Sequence, residues 1–87
     1  MARYLVSYDL DKPGPQDYEK IITEIKRIGG VEVLFSQWVV RRDPTVTAVM
    51  LRDHLINFID KKTDRLIVNE IDTNWATWRS MVDINTL

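Results

Sequence analysis

Val31-Glu32-Val33-Leu34-Phe35-Ser36-Gln37-Trp38-Val39-Val40-Arg41 lies in the middle of the chain, and its reading decides the fold. β-branched and aromatic residues fill both halves, as suits a pleated, half-buried backbone. Ser36 stands between the two apolar runs, where a tight turn or a bulge fits. The stretch is either a hairpin of two strands or one bent strand, and the residues alone leave that choice open.

On the N-terminal side, residues 2–9 read as a strand rich in Tyr, Leu and Val, followed by the turn-forming Asp11-Lys12-Pro13-Gly14-Pro15. Pro15 suits a first helical position, and Tyr18, Ile21, Ile22, Ile25 and Ile28 share one face of a helix that Gly29-Gly30 stops. On the C-terminal side, Asp43-Pro44-Thr45 offers capping chemistry. Ala48, Leu51, Leu55, Phe58 and Ile59 then form the apolar face of a second helix that fades at Asp60-Lys61-Lys62. Residues 65–71 form a last strand, and Asp72-Thr73-Asn74 a turn. Counted with two central strands, the order is β, α, β, β, α, β. That order predicts an α+β sandwich of ferredoxin-like topology, an antiparallel sheet with two helices on one face. Residues 1–79 make a single domain, and residues 80–87 make a tail whose Met81, Val82, Ile84 and Leu87 call for docking, on the chain's own sheet or across a dimer interface.

The sheet predicts a partner. Tyr4, Val6 and Tyr8 share one face of the first strand while Leu5 lies on the other, so both faces carry apolar side chains and the face without helices needs a cover. A chain of 87 residues also buries a thin core, which favours a homodimer. The absence of cysteine excludes disulfides, thiolate nucleophiles and cysteine metal sites, and fits a cytoplasmic setting. No apolar run approaches the roughly 20 residues of a membrane span, and the chain reads as soluble and unexported. Twelve Lys and Arg stand against thirteen Asp and Glu, so no polybasic arm is present. Any nucleic-acid contact falls to a local patch of Arg3, Arg41 and Arg42.

The first strand ends on Asp9 and Asp11, at the carboxyl end of a strand where ligands gather in open α/β sheets. Side by side, these carboxylates suit Mg²⁺ or Mn²⁺ bound together with a substrate phosphate. Solvated turn residues have the same spelling. A twofold axis near the strand end brings the count to four carboxylates. His54 falls at the margin of the second helix's apolar face and reads as a boundary histidine. Trp75, Trp78 and Arg79 read as dimer-interface anchors, residue types enriched in that role.

Tyr4-Leu5-Val6-Ser7-Tyr8-Asp9-Leu10, Leu51-Arg52-Asp53-His54-Leu55, Asp64-Arg65-Leu66-Ile67-Val68-Asn69-Glu70 and Asn74-Trp75-Ala76 carry a resemblance to small bacterial and phage proteins labelled SinR-like. More distantly, the chain resembles the superfamily of CRISPR-associated protein 2 and virulence-associated protein D. That resemblance implies a ferredoxin-like homodimer and a metal-dependent endoribonuclease or DNase activity, with a first-strand aspartate near the dimer axis, matched by Asp9. Ser36 resembles the serine of the family's second-strand segment and takes a catalytic place beside Asp9, with Mg²⁺ as the implied cofactor. Some members of the superfamily act as non-catalytic scaffolds, which is the alternative for this chain.

Overall fold

The structure, a computed structural model, describes residues 1–11 and 14–87. Lys12 and Pro13, inside the turn expected after the first strand, lie outside the described residues. Strand β1 runs Ala2–Asp9, helix α1 Pro15–Arg27, strands β2 and β3 Val31–Leu34 and Gln37–Arg42, helix α2 Ala48–Leu55, and strand β4 Arg65–Ile71. The four strands form one antiparallel sheet in the order β2-β3-β1-β4. With both helices packed on one face, this is the ferredoxin-like α+β arrangement that the order of elements predicts.

The central stretch is a hairpin. Phe35 and Ser36 form its turn, with Ser36 at φ 61°, and the register slips between Glu32 and Leu34, so a turn and a bulge are both present. Helix α1 stops where Gly29 takes φ 88°: the Gly29 amide donates to the Lys26 carbonyl at 3.0 Å and the Gly30 amide to the Ile25 carbonyl at 2.8 Å. Both are the bonds of a Schellman stop, which a residue in the left-handed region makes possible. A Cβ on Gly30 would meet the Ile25 side chain at 2.3 Å, so this position tolerates no larger residue without a shift.

Helix α2 differs from expectation at both ends. Its N-cap is Thr47, whose hydroxyl accepts from the Met50 amide at 3.1 Å, while Asp43 closes its own small turn by accepting from the Thr45 amide and hydroxyl. The last regular turn ends at Leu55 and tightens into a 3₁₀ turn over Ile56–Phe58. There the Asn57 side chain donates to the carbonyls of Asp53 and His54, satisfying groups that a helix end leaves open.

Two apolar clusters lie on opposite faces of the sheet. Between sheet and helices, Tyr4, Val6 and Tyr8 of β1 pack with Ile21 and Ile25 of α1, Leu51 and Leu55 of α2, and Trp38 and Val40 of β3. On the other face, Val33, Val39 and Ile84 are buried, with Leu5, Ile71, Trp75 and Leu87 packed against them. The C-terminal segment therefore folds back across its own sheet. The Met81 amide donates to the Val33 carbonyl on edge strand β2, and an Arg3 Nη1 donates to the Ile84 carbonyl at 2.9 Å.

Candidate functional site

The pairing register divides the face away from the helices into two halves. One row crosses Arg41, Arg3 and Ile71, and the next crosses Val39, Leu5 and Asn69; the C-terminal segment packs on this half. Beyond them, Leu34, Gln37, Ser7 and Ile67 form a third row, and Asp9 stands opposite Arg65 at the strand end. Ile67 is 65% exposed and Leu34 is also exposed; the C-terminal segment reaches only the edge of this half, where Leu34 and Gln37 join a cavity with Trp78 and Ser80.

Asp9 and Asp11 come together there. Both are exposed and line a cavity of about 290 Å³ with Leu10, Thr63 and Arg65. The loop before β4 is fastened to this end by Asp64, whose Oδ1 accepts from the Asp11 amide and whose Oδ2 accepts from the Asp60 amide, each at 2.8 Å. Asp64 is thereby committed to backbone amides. Its clamp on Asp11 spans a separation that no local pattern announces. The remaining donors do not complete a cation site: among the described residues, no group of three or more His, Cys, Asp or Glu side chains is placed to hold a metal ion. The Arg65 opposite Asp9 also supplies positive charge where a cation would sit. One copy of the chain alone does not fit the ion.

Ser36 lies at the same end of the sheet, its carbonyl accepting from the Tyr8 amide at 3.1 Å. Tyr8 itself is buried among the helix-side residues, and its hydroxyl accepts from Trp38 Nε1 at 3.2 Å. Burial pushes the Tyr8 hydroxyl above its ordinary value, against the opposing pull of hydrogen bonds with Trp38 and Ser36. Ser36 thus serves Tyr8 on the helix side, while Asp9 belongs to the opposite face.

The basic candidates separate. The Arg42 guanidinium donates to the Ile28 carbonyl at the end of α1, Arg3 lies 5.6 Å over the Trp75 ring as well as reaching Ile84, and Arg41 is exposed. Trp75 is half-buried in the second cluster with its Nε1 donating to the Asp72 carbonyl, whereas Trp78 is 88% exposed. Arg79 follows it at φ 56°.

His54 does not stand alone. Its Nε2 meets Oε2 of Glu24 from α1, and the same carboxylate takes Arg27 Nε and Nη2 at 2.6 Å each. Glu24 is buried, and its carboxyl is held down to about 2, chiefly by Arg27 and then by His54. Sequence reading passed over this acid. The available signal was a glutamate on the α1 face that carries Ile21 and Ile25, where a charge needs a partner.

Among the described residues, no helix is long and apolar enough to cross a membrane. No family model matches the chain. It is similar to the crystal structure of the hypothetical protein TT1823 from Thermus thermophilus, with TM-score 0.70 and 18% identity over 93% of this chain and 95% of that one. It is also similar to the crystal structure of Streptococcus pyogenes Cas2, with TM-score 0.62 and 24% identity over 84% of this chain and 89% of that one. At these identities the likeness concerns the backbone, and the chain has a Cas2-like, ferredoxin-like fold.

Proposed function

We propose that this chain works as a homodimer that cleaves phosphodiester bonds of RNA or DNA, in the manner implied for CRISPR-associated protein 2, with the Asp9 carboxylates of two copies facing one cleft. The observation that carries this reading is the position of Asp9 on the half of the open sheet face that the C-terminal segment reaches only at its edge, beside exposed Ile67 and Leu34. A second copy laid on that half by a twofold axis adds its own Asp9 and Asp11, which repairs the short donor set of one chain. Mg²⁺, held by these carboxylates, would neutralise phosphate charge when bound. Asp11, beside Asp9, orients substrate and the exposed Arg41 contacts the nucleic-acid backbone, whereas Ser36 and Arg42 turn to the helix side and Trp75 packs on the chain's own sheet.

A non-catalytic dimeric scaffold of the same fold is the second reading. It is favoured by Arg65, a fixed positive group that stands across from Asp9 in the register and lines the same cavity. The test is cleavage of labelled RNA and DNA with Mg²⁺ and with a chelator, for the wild-type chain and Asp9→Asn. Mg²⁺-dependent cleavage that the variant loses is expected. Equal cleavage by both proteins, or none by either, removes the catalytic reading and leaves the scaffold.

A further inference from the structure

Between the C-terminal segment and the sheet lies a cavity of about 310 Å³, at the small end of the range that holds organic ligands. Its apolar lining includes Leu5, Ile71 and Ile84, and two indoles, Trp75 and Trp78, join it from the C-terminal segment. Side-chain amides reach it from the sheet, Gln37 from β3 and Asn69 from β4. Asp72 also lines it, and no Lys or Arg does; Glu70 borders it from a register position opposite Tyr4, on the helix-side face. An anion would find no cationic partner among the lining side chains.

These walls specify the occupant. Indole rings offer flat, polarisable surfaces for another ring. Asn and Gln amides each present a donor beside an acceptor, the complement of a heteroaromatic edge, and carboxylates accept from exocyclic amino groups. An uncharged planar ring with a donor and acceptor edge answers all three features. A lipid tail would leave the amides unpaired, and a free phosphate would lack a cation among the lining side chains.

Trp78 is the second, independent pointer. An indole at 88% exposure beside a cavity is a stacking surface without a stacked partner, and Arg79, at φ 56°, follows it in the chain. Trp75 is steadied from behind by Arg3 and by its bond to the Asp72 carbonyl.

We propose that this cavity binds a single unstacked nucleobase, between the indoles of the C-terminal segment and the Gln37 and Asn69 amides of the sheet. The proposal deepens the nucleic-acid reading and rests on it for the class of ligand. Leu5 in the cavity and Asp9 at the strand end are four residues apart on one strand face, roughly 13 Å at 3.3 Å per residue. A strand anchored by one base here keeps its neighbouring phosphates near Asp9.

The experiment is calorimetric titration of the full chain carrying Asp9→Asn, so that binding is read without cleavage, using the four ribonucleosides and a short single-stranded oligoribonucleotide. Saturable binding is expected, weakened about tenfold or more by Trp78→Ala, which removes a stacking surface, and again by Asn69→Leu. Circular dichroism confirms that both variants fold. Binding by free nucleosides assigns the site to a small ligand, and binding by the oligonucleotide alone assigns it to a base within a strand; either supports the site. No saturable binding of either probe overturns it. So does binding that both variants retain in full, or tryptophan emission that follows protein concentration and ignores every probe, since a second copy then fills the cavity. Absence of cleavage by the wild-type chain would sink the catalytic reading and leave this result untouched.

Discussion

Glu24 shows how much a single side chain ties together. Arg27 holds it from one helical turn away with two bonds at 2.6 Å, a forked geometry among the stronger hydrogen-bonded pairs, and His54 brings in α2. The carboxyl titrates near 4.5 when unfolded and near 2 in the fold, so on acidification the unfolded chain takes up the proton first. Its contribution is complete above about pH 4.5 and disappears as pH falls toward 2. We expect unfolding midpoints in urea to drop across that window for the wild-type chain. Glu24→Gln, which has no proton to take up there, should be less stable at neutral pH and should show a flatter profile between pH 4.5 and 2. A wild-type profile as flat as the variant's would refute the coupling. The place of Glu24 on the apolar stripe of α1 is readable from spacing, but His54 lies 30 residues on and only the packed helices bring it near.

Among the elements, the β2–β3 hairpin is the one the residues left undecided, and its turn explains why. Two-residue hairpin turns advertise themselves through Asn-Gly or Asp-Gly. Here Phe35 and Ser36 fill the turn, and a serine occupies a left-handed position at a cost of about 1 kcal/mol. The flanking strands could be read from composition, as could β1, β4 and the glycine stop of α1. The cap of α2 could not be placed, because Asp43 and Thr47 both have capping chemistry and the chain uses the first for a turn. Ser36→Gly should leave stability unchanged or raise it by up to about 1 kcal/mol, while Ser36→Val, β-branched at positive φ, should lower it by about 1–2 kcal/mol in urea denaturation. The same pair distinguishes turn from chemistry. A Ser36→Gly protein that is stable and cleaves normally confines Ser36 to the turn, and one that is stable but inactive gives it a role at the site.

At the scale of the whole molecule, the sheet's two apolar faces were visible in the alternation of β1, and so was the need for a cover. What alternation could not convey is that the chain supplies half of that cover itself. Ile84 and Leu87 reach the second cluster only after the C-terminal segment has turned back over β1 and β3, a path set by scattered contacts such as Arg3 with Ile84 and Met81 with Val33. The remaining half carries Ile67 and Leu34, and Phe35 stands 88% exposed at the hairpin tip of the same end. Burying an isoleucine contributes about 1.5–3 kcal/mol, and in a twofold interface each substitution acts twice. Ile67→Asp should therefore weaken a dimer built on this half by at least about a hundredfold. Because Ile67 is 65% exposed within one chain, the fold should survive the change. Sedimentation equilibrium across a range of concentrations reads both proteins, with circular dichroism as the folding control. The expected result is a dimeric wild type and a monomeric, folded variant. A dimer that tolerates Ile67→Asp would put its interface elsewhere and separate the two Asp9 side chains. A monomeric wild type would leave each Asp9 with Asp11 and Arg65 alone, a set too poor in donors to hold a cation, and the cleavage activity would have to vanish with the dimer.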